Sequence, residues 1–286
     1  MLPVDKLKVL ILGATGMLGT DIAHELAGKY ELYLWDKEEL DITQEKLVKE
    51  KIHNLLPQVI INATGYTNVD GAEEEKDIAM LVNAQAVKYI TEVAQEVGAK
   101  LVHFSTEYVF DGKNKDGYDE QSIPNPINVY GQSKLGGEKH VLNYDKGYLI
   151  RTSWLYGHAP QVGKPRGMNF IDTMLKLAET EPTIKVVNDQ FGKLTNTQDL
   201  AQAVSKLISG DYAPGIYHLV NESEVTWFQV AQEVFKIKNI TTPLQPITSD
   251  QYPTRASRPA YAVLLNTKFS KMRSWQEALR DYLKIS

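Results

Sequence analysis

The chain has 286 residues, 43% of them hydrophobic and 23% charged, which suits a globular protein of about two domains at roughly 150 residues each and excludes disorder, collagen-like repetition and a disulfide-stapled scaffold. It holds no cysteine, so disulfides, thiolate metal sites and cysteine nucleophiles are all ruled out. The net charge of −5 argues against general affinity for nucleic acid or an anionic membrane, yet residues 251–276 carry no acid and five bases, Arg255, Arg258, Lys268, Lys271 and Arg273, leaving −10 for the remainder.

Residues 1–8 carry charges of both signs and show no targeting pattern, and no stretch combines the ~20 residues that span a bilayer with an uninterrupted apolar, proline-free composition. The reading is a cytoplasmic protein without a membrane partner. Apolar runs of strand length then alternate with amphipathic helical segments: strand 7–12, helix 16–27, strand 31–35, helix 44–55, strand 58–62, helix 78–97, strand 100–105, helix 129–142 and strand 147–151. This rhythm predicts an α/β fold, a Rossmann-like doubly wound parallel sheet. After Thr152 it degrades into a Gly- and Pro-rich loop over 157–167, helix 170–179, strand 184–187, helix 197–208, strand 215–219, helix 226–235 and a proline-containing stretch over 241–259. The expected division is a dinucleotide-binding domain of residues 1–154 and 184–220 and a smaller interleaved C-terminal substrate-binding lobe of residues 155–183 and 221–286.

Gly13-Ala14-Thr15-Gly16-Met17-Leu18-Gly19 lies between the first strand and the first helix. The first glycine allows a tight turn, the second lets backbone N–H groups approach a pyrophosphate, and the third lets helix pack on strand at the positive end of the helix dipole. Asp36 closes the second strand, about 20 residues on, where a carboxylate accepts from ribose hydroxyls and favours NAD; Lys37 beside it suits the 2′-phosphate of NADP, so both cofactors stay open. Asp41 and Ile42 either flank the adenine or belong to a helix start. Ala63, Thr64, Gly65 and Tyr66 follow the third strand and either run beside the cofactor or form a plain turn.

Tyr130 and Lys134 stand at i and i+4, on one helix face, where an ammonium near a phenol favours the phenolate and lowers its pKa from about 10. Ser105 and Thr106 end the fourth strand, and a hydroxyl there can bind the oxygen that the tyrosine protonates. With the glycine loop, these residues point to hydride transfer assisted by a tyrosine acid.

The sequence resembles the extended short-chain dehydrogenase/reductases and, among them, the dTDP-4-dehydrorhamnose reductases, over nearly its whole length. The resemblance is carried by GATGMLG at Gly13, LDIT at Leu40, PQVIINATGYTNVDGAE at Pro57, STEYVFDG at Ser105, PINVYGQSKLGGE at Pro126, RTSWLYG at Arg151, NF at Asn169, DQFG at Asp189 and SRPAY at Ser257. It implies reduction by NADPH or NADH of the 4-keto group of a dTDP-linked 4-keto-6-deoxysugar. Tyr130 would then be the proton donor, Lys134 its activator and a ligand of the nicotinamide ribose, and Thr106 the hydroxyl that orients the ketone, with Ser105 in reserve. Glu107 stands where the family has aspartate, one methylene further out, and would meet a substrate hydroxyl; Tyr108 and Trp154 would line the sugar site. Leu194 replaces the proline that usually follows DQFG. Family members that dimerise through carboxylates and a metal make a homodimer a further expectation, with Asp21 the nearest equivalent, although no metal site is expected here.

Arg258, in a proline-flanked loop within the acid-free stretch, suits a diphosphate or a basic surface patch. Asn83 either braces the active-site strand or is an exposed polar position, the acidic run 70–77 reads as a solvated helix start, and the six histidines show no ligand spacing. Two other functions compete: a related sugar-nucleotide epimerase or dehydratase, disfavoured by the single carboxylate after Thr106, and a non-catalytic dinucleotide-binding regulatory subunit of a methionine adenosyltransferase type, disfavoured by the presence of both Tyr130 and Lys134.

Overall fold

The structure, a computed structural model, describes residues 6–161 and 167–285; the loop expected over 157–167 therefore falls partly, at 162–166, outside the described residues. The first half runs β1 (Lys8–Leu12), α1 (Met17–Leu26), β2 (Glu31–Trp35), α2 (Glu45–Leu55), β3 (Val59–Asn62), the short helices α3 (Gly71–Glu74) and α4 (Lys76–Met80), a π turn at Leu81–Gln85, α5 (Ala86–Val97), β4 (Lys100–Thr106), a 3-10 turn at Glu107–Val109, α6 (Val129–Leu142) and β5 (Gly147–Thr152). The second half adds β6 (Leu155–Tyr156), α7 (Phe170–Ala178), β7 (Ile184–Val187), β8 (Phe191–Gly192), β9 (Thr195–Asn196), α8 (Thr197–Ser209), β10 (Gly215–His218), β11 (Val225–Thr226), α9 (Trp227–Lys238), β12 (Leu244–Ile247) and α10 (Trp275–Ile285).

Six strands form one sheet in the order β10-β5-β4-β3-β1-β2, every neighbouring pair parallel. Both faces are covered, which is why these strands read as continuous apolar runs. Val9 and Ile11 face a core with Ile22 and Leu26 of α1 and Val204 and Leu207 of α8, while Leu10 and Leu12 face Val48 and Ile52 of α2 and Val87 and Ile90 of α5. The order reverses between β1 and β3, so the crevice that receives ligands opens at the carboxyl ends of those two strands. The glycine loop leaves β1 at this point, and residues 63–66 leave β3 there.

The helix expected over 78–97 is interrupted by the π turn, a feature common where a helix serves a site. The α6 N-terminus is capped by Asn128, whose side chain accepts from Gly131 N at 2.7 Å.

The smaller lobe packs α7, α9 and α10 around Tyr156, Ile171, Ile184, Val186, Val230, Phe235 and Leu279. Here the structure departs from the expected division. Ile184–Val187, assigned from sequence to the dinucleotide-binding part, pairs in parallel with Leu244–Ile247 and buries Ile184 and Val186 in the lobe's own core. Conversely, Phe269, assigned to the lobe, is buried in the core of the large sheet. Periodicity reports that a segment is a strand and leaves its partner undetermined.

Candidate active site

The glycine loop is built for close approach. Gly13 adopts φ +77°, a Cβ there would meet the Ala63 backbone at 3.1 Å, and a Cβ on Gly19 would lie 2.1 Å from Gly13 O. The first N–H groups of α1 belong to Met17, Leu18 and Gly19, and Gly16 at the N-cap supplies no side chain to satisfy them. The Met17 and Leu18 side chains are buried, so only their backbones face the crevice. Asp36 accepts from Thr15 N at 2.8 Å, which ties the end of β2 to the loop.

Asp41 and Ile42 do not join this cleft by their side chains. Asp41 accepts from the Thr43 amide and hydroxyl at 3.0 and 2.7 Å, bonds that hold its carboxyl below the usual range, and Ile42 lies in the core with Leu40 and Val48. On the β3 side, Asn62 Oδ1 accepts from Thr64 N and Oγ1, and the buried Asn83 accepts from Tyr66 N at 2.9 Å while donating to Tyr66 O at 3.0 Å and Ser133 Oγ at 2.9 Å. From the π turn, Asn83 thus braces the 62–66 segment against α6.

The phenol of Tyr130 on α6 faces the Thr106 hydroxyl at the end of β4. Ser105, by contrast, donates to Glu138 at 2.6 Å on the opposite side of the strand, which leaves Thr106 as the strand-end hydroxyl of the site. Burial pulls Lys134 down to about 8, with Glu138 pulling the other way. The expected lowering of the tyrosine is not what the geometry produces. Burial, and then the Glu107 carboxylate, push Tyr130 above its ordinary value, outweighing the opposing influence of the neighbouring Thr106 hydroxyl. Tyr130 therefore keeps its proton throughout the neutral range.

Glu107 is itself buried. It accepts from Thr106 Oγ1 at 2.8 Å and from the Trp154 indole, and burial pushes its carboxyl up to about 7. Tyr108 meets Tyr130 edge-on, ring centroids 5.5 Å apart. Trp154, at φ +44° after β5, stacks on Trp227 at 3.7 Å. A non-glycine residue in that region is strained, and such strain concentrates at ligand sites.

Arg258 reaches this rim but is already engaged: NH1 and NH2 donate to the two oxygens of Asp70 at 3.2 and 2.7 Å, and NH1 to Ala256 O at 2.9 Å. Four of the five bases of the stretch have acidic partners, Arg255 pairing with Glu74, Lys271 with Glu222 and Arg273 with Asp199 and Asp281, whereas Lys268 is exposed and pairs with no acid among the described residues. The acidic run is likewise more than a solvated helix start. Asp70 and Glu74 hold the 255–258 loop, Glu73 accepts from Val129 N at 2.9 Å, and Glu75 accepts from the Tyr66 hydroxyl. Asp21 is buried and accepts from Thr197. No group of three or more His, Asp or Glu able to hold a metal occurs among the described residues.

Sequence reasoning missed the strut behind the site. Arg151 on β5 donates to both oxygens of Glu138 on α6 at 2.9 and 2.7 Å, each side chain 1% exposed. The signal was present: an arginine inside the otherwise apolar strand GYLIRT needs a buried partner.

A family model described as RmlD substrate binding domain matches residues 7–286. The chain is 38% identical over 284 residues to the spore coat polysaccharide biosynthesis protein SpsK of Bacillus subtilis, covering 97% of each chain. It is also 38% identical to a dTDP-4-dehydrorhamnose reductase of Aggregatibacter actinomycetemcomitans, covering 96% of this chain and 97% of that one. Among solved structures it is similar to a dTDP-4-dehydrorhamnose reductase of Bacillus anthracis in complex with NADP, with a TM-score of 0.93 and 36% identity over 99% of this chain and 100% of the other.

Proposed function

Because the chain belongs to the RmlD substrate-binding family, we propose that it is an NAD(P)-dependent oxidoreductase that reduces the 4-keto group of dTDP-4-dehydro-L-rhamnose to give dTDP-L-rhamnose. The observation that carries this reading is Tyr130, protonated and facing the Thr106 hydroxyl, one helical turn from Lys134 and beside the crevice at the β1/β3 reversal.

The crevice fits a dinucleotide on two counts: the Gly13 turn leaves room that a Cβ would fill, and the first amides of α1 are uncapped donors suited to a diphosphate. Gly13, Thr15, Gly16, Met17, Leu18 and Gly19 would hold the diphosphate, Asp36 the adenosine ribose, Ala63, Thr64, Gly65 and Tyr66 the nicotinamide side, and Lys134 the nicotinamide ribose. The reduced nicotinamide supplies a hydride there. As the ketone becomes an alkoxide, the Tyr130 and Thr106 hydroxyls stabilise the growing charge, and Tyr130 gives up its proton. Tyr108, Trp154 and Glu107 would surround the deoxysugar and Arg258 its diphosphate. The reading includes a cytoplasmic homodimer; no helix among the described residues is long and apolar enough to cross a membrane, and sedimentation of the purified chain checks the dimer.

The test is loss of reduced-nicotinamide absorbance when dTDP-4-dehydro-L-rhamnose is supplied. Tyr130→Phe removes one O–H and should lower turnover roughly a thousandfold while leaving NADPH affinity nearly intact. Turnover near that of the unaltered chain would overturn the assignment.

A further inference from the structure

The Thr106 hydroxyl has one hydrogen, and it points at Glu107 Oε2, 2.8 Å away. The same oxygen accepts from Tyr108 N at 3.2 Å, and the Tyr130 phenol lies beside it. With Glu107 ionised, a carboxylate that only accepts, Thr106 has no hydrogen left for a ketone. One of the two donors that the reduction needs is then turned away from the substrate. A protonated Glu107 reverses the chain: its O–H donates to Thr106 Oγ1, and the Thr106 and Tyr130 hydrogens can both reach the carbonyl oxygen.

We propose that Glu107 is a positioning residue whose protonation sets the direction of the Thr106 hydroxyl, the neutral side chain being the productive form. The proposal rests on the ketoreductase reading and adds to it a control of the donor pair. The surroundings favour the neutral form being accessible at ordinary pH. Glu107 is 3% exposed, and burial pushes its carboxyl up to about 7. Tyr108 on its own turn and Tyr130 from α6 face it as neutral phenols, and the Trp154 indole from the chain after β5 is its second donor. The Arg258 guanidinium near Tyr108 is neutralised by Asp70.

The sign follows. Glu107 is protonated below about pH 7 and ionises as pH rises, so kcat/KM should fall on the alkaline side, about tenfold per pH unit, beginning near that value. Glu107→Gln keeps a donor facing Thr106 at every pH, so the alkaline break should move up to about 8, where Lys134 loses its proton. Trp154→Phe removes a hydrogen bond that favours the carboxylate and should move the break upward as well. A spectroscopic reading needs no substrate: the stacked Trp154–Trp227 pair should give a near-ultraviolet circular dichroism change with its midpoint near pH 7 in the unaltered chain and none in Glu107→Gln. The same spectra report whether each variant is folded. An alkaline break unmoved in both variants overturns the Glu107 proposal alone. A chain that shows the spectral midpoint but oxidises no NADPH with the keto sugar overturns the ketoreductase reading, and the catalytic consequence with it.

Discussion

Two arginine–carboxylate pairs frame the site, with similar chemistry and opposite settings. Arg151–Glu138 crosses from β5 to α6 with both side chains 1% exposed, and it gathers Ser105 as a third member. Arg258–Asp70 joins the late loop to the start of the acidic run with 16% and 39% of its side chains exposed. Water cannot replace either partner of the first pair, so the pair holds strand to helix and keeps α6, with Tyr130 and Lys134, in register over Thr106. The second pair borders solvent, where screening and competing anions weaken it. The same bidentate fork thus acts as a strut in one place and as an exchangeable contact in the other, and burial decides which.

Glu138→Gln is the strongest way to break the comparison. It leaves the Arg151 charge buried without its counter-charge and should cost about 3–5 kcal/mol in denaturant unfolding; a loss under about 1 kcal/mol would remove the strut role. Arg258→Ala should act at the rim instead, raising KM for the nucleotide sugar about tenfold while that for NADPH and the unfolding midpoint barely move. The opposite order of KM effects, or a large loss of stability, would make Arg258 a structural residue. Arg255→Ala sets the lower end: its pair with Glu74 is 64% and 61% exposed, and neither stability nor KM should shift measurably.

The legible parts of the molecule were those encoded by neighbours in sequence. The strand rhythm, the loop from Gly13 to Gly19 and the Tyr130–Lys134 spacing all follow from periods of a few residues, and α6 occupies the 129–142 span that the pattern predicts. The structure also resolves choices that the sequence left open, setting Thr106 rather than Ser105 beside Tyr130 and turning Asn83 inward as a brace. The illegible parts depend on distance along the chain. Asp70 lies 188 residues from Arg258, and no local pattern relates them. Strand Ile184–Val187 carries the signature of any buried strand, and only its pairing with Leu244–Ile247 assigns it to the smaller lobe.

The opening charge asymmetry shows the same division. By itself the sequence determined the composition of the 251–276 stretch, the alternation that builds a parallel sheet and the residue types able to hold a hydride-donating cofactor and to supply a proton. The tertiary structure alone decided that four of the five bases pair with acidic partners, that Tyr130 is raised rather than lowered, and that Glu107 titrates near neutrality. The physical reason is that side-chain identity and spacing are local, whereas the charge state of a group depends on how much water folding removes from it and on which distant partners folding brings to it.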